Sequence, residues 1–334
     1  MNTQTRTQKI MNSLKRGLIR VTIFILILAI AGTIYQTAAT EADQRNFPPP
    51  GNLIDVGGFK MHIHCEGEGS PIVILEAMSG GTSAYWGWIQ PEVAKEAKVC
   101  VYDRAGFGWS ESDPESPTLA RTVRNLHTLL VNANIEGPYI LVGHSLGGIY
   151  VRQFAADYPD EVIGMVLVDE ANPLQFERYP ELFKDGDDYL RISGSFPTLA
   201  RLGAFHLYFA LGGEMDFADL PQSQRSEVKG FWSSPEYFVA RRAEMKAGHE
   251  IWADALRLKK LGDLPLMVIS RGLGLDHDWT KYQNDLATLS TNSRHITVEG
   301  ANHGGLVFNP DYAKVVSDTI LQVVDSARTG KRLA

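Results

Sequence analysis

Gly143-His144-Ser145-Leu146-Gly147-Gly148 is the stretch on which the reading of this chain turns. It stands directly after the apolar run Pro138–Gly143, which reads as a strand, and directly before Leu146–Tyr158, which has helical spacing and is stopped by Pro159. A Gly-x-Ser-x-Gly match is common by chance, so its weight comes from that strand-to-helix context. A serine on such a sharp turn sits in a strained backbone conformation, and the glycines on either side remove side chains that would collide there. Ser145 is then expected to project from the end of the strand, over the positive end of the next helix's dipole.

Outward from this turn, short apolar runs alternate with helical patterns. Leu53–Val56 and Lys60–Cys65 flank Gly57-Gly58, a dipeptide suited to a tight hairpin. Further strands are expected at Pro71–Glu76, Lys98–Asp103, Val162–Asp169, Leu264–Ser270 and Ser293–Glu299, and further helices at Thr118–Asn134, Trp279–Leu289 and Pro310–Ala327. Continuous apolar runs such as Ile163–Val168 suit parallel strands buried on both faces, so the pattern predicts an α/β fold with a mostly parallel sheet. About 90 residues between Asp169 and Leu264 break the rhythm. This insertion carries Phe196, Phe205, Tyr208, Phe209, Phe231, Trp232, Tyr237 and Phe238 among Gly and Pro, as expected of a small helical cap.

A serine hydroxyl is a poor nucleophile until a base takes its proton, so the reading demands a histidine on another loop. Of nine histidines, His303 follows the last expected strand and precedes the helix opened by Pro310, the place that chain order requires. Developing negative charge needs two backbone N–H donors. Leu146, after the serine, supplies one, and Met78, in the loop after Pro71–Glu76, is assigned the other by position. His62 and His64 alternate along a strand but lack a third ligand and read as surface positions. No metal and no cofactor is called for.

These segments, with Asp103-Arg104-Ala105-Gly106-Phe107-Gly108-Trp109-Ser110, resemble the α/β-hydrolase family over about residues 52–327. The resemblance implies an eight-stranded sheet in the order 1-2-4-3-5-6-7-8, a catalytic triad and a cap inserted after strand six. The chain departs from the family where Glu76-Ala77 stands in place of the common His-Gly before the oxyanion residue. The acid has two candidates. Asp169 ends the sixth strand, as in the haloalkane dehalogenases, with which Glu161 through Pro173 runs in register, and it is preferred. Asp276 lies in the loop after strand seven and is the alternative. A serine at the turn excludes dehalogenase and epoxide hydrolase chemistry, which needs a carboxylate there.

Hydrophobic residues at 44% and charged ones at 21% describe an ordinary folded protein. A net charge of −7, with no basic block outside the N-terminus, speaks against nucleic acid as a partner. Two cysteines, Cys65 and Cys100, are too few for a disulfide scaffold and read as buried thiols, although their neighbouring strands leave a bridge open in an oxidising compartment. At the N-terminus, Lys9, Lys15, Arg16 and Arg20 precede the uncharged run Val21–Tyr35. Residues 1–50 therefore read as a cytoplasmic stub, a membrane-anchor helix at about 18–35 and an extended linker over 40–50, with a cleaved signal peptide as the alternative. Residues 51–170 and 263–334 form the halves of the core, and 171–262 the cap. The basic flank places the catalytic part across the membrane, or outside the cell if the segment is cleaved. The expected activity is that of a carboxylesterase or lipase-like enzyme on a small apolar ester. An amidase or peptidase, an acyltransferase and a non-enzymatic binding protein stay open as alternatives, and the oligomeric state is not legible.

Overall fold

Eight short apolar runs become the strands of one sheet: β1 (Asn52–Asp55), β2 (Lys60–Glu66), β3 (Ile72–Glu76), β4 (Val99–Tyr102), β5 (Tyr139–His144), β6 (Val162–Val168), β7 (Leu266–Arg271) and β8 (Ser293–Val298). The computed structural model describes residues 3–179, 181–258, 260–275 and 278–333. The strands lie in the expected order β1-β2-β4-β3-β5-β6-β7-β8, with β2 antiparallel to both β1 and β4 and the strands β3 to β8 parallel to one another. Gly57 and Gly58 turn the first hairpin at φ of +111° and +108°, a region side chains disfavour.

The helices are α1 (Thr3–Asn46), α2 (Ile89–Val93), α3 (Leu119–Asn132), α4 (Leu146–Asp157), α5 (Pro173–Arg178), α6 (Glu181–Ile192), α7 (Phe196–Arg201), α8 (Ala204–Ala210), α9 (Gln222–Trp232), α10 (Pro235–Ala255), α11 (Trp279–Ala287), α12 (Gly305–Phe308) and α13 (Pro310–Thr329). Alternate side chains of each strand serve opposite faces of the sheet. Ile74, Leu141 and Leu167 pack under α3 and α4, while Leu75, Val142 and Val168 pack over α13. Helices α5 to α10 all fall between β6 and β7, and Phe196, Phe205, Tyr237 and Phe238 form an aromatic cluster there with Phe107.

Three expectations need correction. The chain over 40–46 is not extended: α1 runs unbroken to Asn46, because Thr40–Asn46 holds neither Gly nor Pro and only Pro48 onward forbids a helix. His62 is not a surface residue. It is fully buried on β2, between β1 and β4, and its Nδ1 pairs with the equally buried Asp103 at 2.8 Å. Nor are the cysteines free, since the antiparallel register of β2 and β4 sets Cys65 opposite Cys100 and the two are bridged.

The bridge closes a separation of 35 residues, which by loop entropy restricts the unfolded chain by about 3–4 kcal/mol. Replacing both cysteines by alanine is expected to lower the unfolding free energy by about that amount in denaturant titration. An unchanged midpoint would contradict it.

Candidate active site

Six parallel strands end on one edge of the sheet, and the residues that matter hang from those ends. At the close of β5, Ser145 adopts φ 56° and ψ −123°, a strained conformation for a residue with a side chain. Its neighbours show why the glycines are needed. A Cβ on Gly143 would lie 2.6 Å from the backbone of Gly147, and one on Gly147 would lie 2.6 Å from the Glu76 carbonyl. The turn can therefore close only where α4 touches β3 without side chains between them. The Ser145 N–H donates to the Val168 carbonyl at 3.0 Å, which fixes the turn to β6.

Asp169 follows β6 at a positive φ of 46° and is fully buried. Its carboxylate accepts from His303 Nδ1 at 2.6 Å, Trp279 Nε1 at 2.8 Å, Arg271 Nη1 at 2.9 Å and the Arg271 N–H at 3.0 Å. Burial alone would raise this carboxyl, but the His303 hydrogen bond and the charges of His303 and Arg271 outweigh it and hold Asp169 below its ordinary range. Because a carboxylate only accepts, His303 carries its proton on Nδ1 when neutral and presents an Nε2 lone pair. His144 stands behind it, with ring centroids 4.7 Å apart and Nε2 3.1 Å from the His303 carbonyl oxygen. That carbonyl likewise only accepts, so His144 holds its proton on Nε2. Burial, and then the nearby His303, push its pKa down to about 3, which keeps it neutral.

Ser145 and His303 line the same cavity of about 480 Å³, with Leu146, Met245, Trp252 and Trp279 among its walls. No hydrogen bond joins the serine hydroxyl to His303 among the described residues. Met78 borders an adjoining cavity that also contains His303. Of the two candidate acids, Asp169 is the one brought to His303; Asp276 lies outside the described residues.

The loop after β3 is held by groups that sequence reasoning did not assign. Arg104 donates to the carbonyls of Ala77 and Met78, both at 2.8 Å. In a trans peptide the carbonyl and the following N–H point in opposite directions, so drawing the Ala77 carbonyl to Arg104 turns the Met78 N–H away from it. The same guanidinium pairs with Glu76 at 2.5 Å and with Glu244 of α10 at 2.9 Å. Glu244 in turn accepts from Ser79 Oγ at 2.6 Å and from the Gly80 N–H at 2.8 Å. Burial pushes Glu76 up to about 7 despite Arg104, whereas Arg104 and Arg241 overcome burial at Glu244 and hold it low. Glu244 thus carries the charge that ties the cap to this loop. Glu76 and Arg104 were visible in the quoted motifs; Glu244, midway along a cap helix, has no local signal.

A family model described as the alpha/beta hydrolase fold matches residues 70–310. The Bacillus subtilis protein YbdG, itself uncharacterized, is 28% identical over 55% of this chain, and the match spans 56% of YbdG, about half of that relative. A candidate acyltransferase from Salmonella enterica superposes over 82% of this chain and 94% of its own with a TM-score of 0.65 and 19% identity. MGS-M2, an alpha/beta hydrolase enzyme from a Medee basin deep-sea metagenome library, covers 81% of this chain and 96% of its own, with a TM-score of 0.60 and 18% identity. At such identities the structural likeness is one of fold.

The depressed His144 pKa has a sign that can be tested. Between about pH 6.5, where an unfolded histidine titrates, and about 3, only the unfolded state binds this proton, so stability falls as pH falls through that window. Compared with His144→Gln, the parent chain is expected to lose about 1.4 kcal/mol more per pH unit across it in denaturant titrations. Parallel pH–stability curves for the two would overturn the assignment.

Proposed function

We propose that this chain, which belongs to the α/β-hydrolase fold family, is a serine hydrolase that cleaves a lipophilic carboxylic ester through an acyl-enzyme. The observation that carries the reading is the 2.6 Å bond from His303 Nδ1 to Asp169, made at the wall of the cavity that Ser145 also lines. That bond leaves Nε2 free to take a proton. Ser145 Oγ attacks the acyl carbon as His303 Nε2 removes its proton, and Asp169 stabilises the imidazolium formed. The N–H groups of Leu146 and Met78 receive the charge on the carbonyl oxygen. Leu146 is the first residue of α4, so its N–H has no intrahelical acceptor and is available for this. His303 then returns the proton to the leaving alcohol, and a water deprotonated by the same imidazole releases the acid and restores Ser145.

The apolar cavity walls at Met245, Trp252 and Trp279 favour an apolar acyl or alcohol group. The N-terminal helix is long and apolar enough to cross a membrane, as an anchor or a signal sequence is, and its contacts with the cap favour retention. Cleavage after Ala31 or Ala39 would remove Gln36, whose side chain is buried against His206 and the Ser233 carbonyl. The basic residues before the apolar run favour a catalytic part on the far side of the membrane, and the Cys65–Cys100 bridge suits an oxidising compartment there.

A fluorophosphonate probe is expected to label the parent chain and to leave Ser145→Ala unlabelled. On p-nitrophenyl esters from acetate to palmitate, turnover is expected to rise with acyl length, and Asp169→Asn is expected to reduce kcat by about 10⁴. Absence of both labelling and turnover at every length would sink the proposal.

A further inference from the structure

The N-terminal helix does not leave the folded part of the chain at its last apolar residue. From Val21 to Asn46 the shielded positions are Ala29, Gly32, Gln36, Ala39, Thr40, Ala42 and Asp43, the rest being exposed. They recur at steps of three and four residues and so form one stripe. That stripe packs on α7, α8 and α9. The crossing is a backbone contact made by two glycines: a Cβ on Gly32 would fall 2.5 Å from the Leu202 carbonyl oxygen, and one on Gly203 would fall 2.7 Å from the Tyr35 ring. A polar clasp follows on the same side. Gln36 Nε2 donates to the Ser233 carbonyl at 3.1 Å, Gln36 Oε1 meets His206 Nδ1 at 2.9 Å, and His206 Nε2 meets Asp43 at 2.8 Å.

The height of this crossing along α1 has a consequence. The apolar stretch, counted generously from Leu18 across Arg20 to Tyr35, is about 27 Å as a helix, against about 30 Å of hydrocarbon in a bilayer. None of it can be spared to stand clear of the lipid. Gly32 lies about 4–5 Å below the end of that stretch, and Ala29 about 9 Å below it. The turn between α7 and α8 rests on Gly32, so it is carried down to the same level. Beside the exposed Thr198, Arg201 and Glu214, what α7, α8 and their flanks display outward is mainly apolar: Leu199, Leu202, Leu207, Tyr208 and Leu211 are exposed, the last at 79%. A patch of this kind, rimming the exit of a spanning helix, matches the interfacial layer of lipid.

We infer that the α7–α8 face of the cap is seated in the membrane interface, its occupant being the lipid bilayer itself. The inference rests on the reading of α1 as a retained anchor and adds to it a second, non-spanning attachment. Helix α10, which lines the catalytic cavity with Glu244 and Met245, packs on α7. The cavity roof is thereby joined to an element that touches lipid, where a lipophilic ester is concentrated.

The test uses the full chain, since both native cysteines are bridged and leave labelling to an introduced thiol. Single cysteines replacing Ile27 in α1, Leu207 and Leu211 on the cap, and Val131 on α3, all exposed, would carry a bimane fluorophore. The proteins would be placed in phosphatidylcholine nanodiscs with or without brominated acyl chains. Positions 27, 207 and 211 are expected to lose most of their emission in brominated discs while 131 keeps its own. Quenching at 27 with 207 and 211 as bright as 131 would overturn the cap contact and leave the anchor standing, and it is also the result if a second copy of the chain covers the patch. A bright position 27 would remove the anchor and this inference with it.

Discussion

A single buried carboxylate organises the edge of the sheet on which everything else depends. Asp169 is withdrawn from water, and its charge persists because four donors from three separate segments converge on it: His303, Trp279 and both the backbone and the guanidinium of Arg271. Each donor also serves to position something. The end of β7 is fixed by the Arg271 N–H, the start of α11 by the Trp279 indole, and the loop after β8 by His303. Stacking of the Arg271 guanidinium on Trp279, 4.0 Å from the ring centroid, locks two of these donors against each other. Removing the charge would leave several buried donors without an acceptor, so the group that orients the histidine also holds the rim of the cavity together.

The second organising cluster works from the opposite side of the cavity. Arg104 faces two carboxylates, and the guanidinium's planar fork lets it meet Glu76, Glu244 and two loop carbonyls at once. The loop after β3 is held through its carbonyls by an arginine from the loop after β4, and that arginine is held by Glu244 of the cap.

Legibility followed the range of the forces involved. Strand and helix positions were readable because they depend on periodicity and on a motif within a few residues: the apolar run Pro138–Gly143 before Ser145, the spacing of Leu119, Val123, Leu126 and Leu130 in α3, the glycine pair at 57 and 58; the strand order was available only through the family resemblance. Features set by register or by distant contact were not. Whether Cys65 meets Cys100 is decided by one residue of offset between β2 and β4. His62 is buried because Asp103, 41 residues away, accepts from it, and the alternation of His62 and His64 looks the same for an exposed strand. Helix α2 has five residues and falls below the length at which a period can be seen. Glu244 becomes meaningful only once α10 is laid over the loop at Ser79 and Gly80. The short proline run misled differently: it fixes where the N-terminal helix must stop, but the chain before it continues as helix because Gln36 and Asp43 find partners on the cap.

The cross-link between β2 and β4 also has a mechanical meaning. From the N-terminal helix the chain passes through Pro48-Pro49-Pro50 into β1, then β2, and reaches Cys65 near the end of that strand. Tension transmitted from the helix would unzip β1 from β2 and then peel β2 from β4 one pair at a time, past Ile63 and His64. At Cys65 the peeling meets a covalent bond to Cys100 on β4, which is itself flanked by β3. Load from the N-terminus is thus confined to a sacrificial hairpin, and the strands that carry the cavity lie behind a clamp.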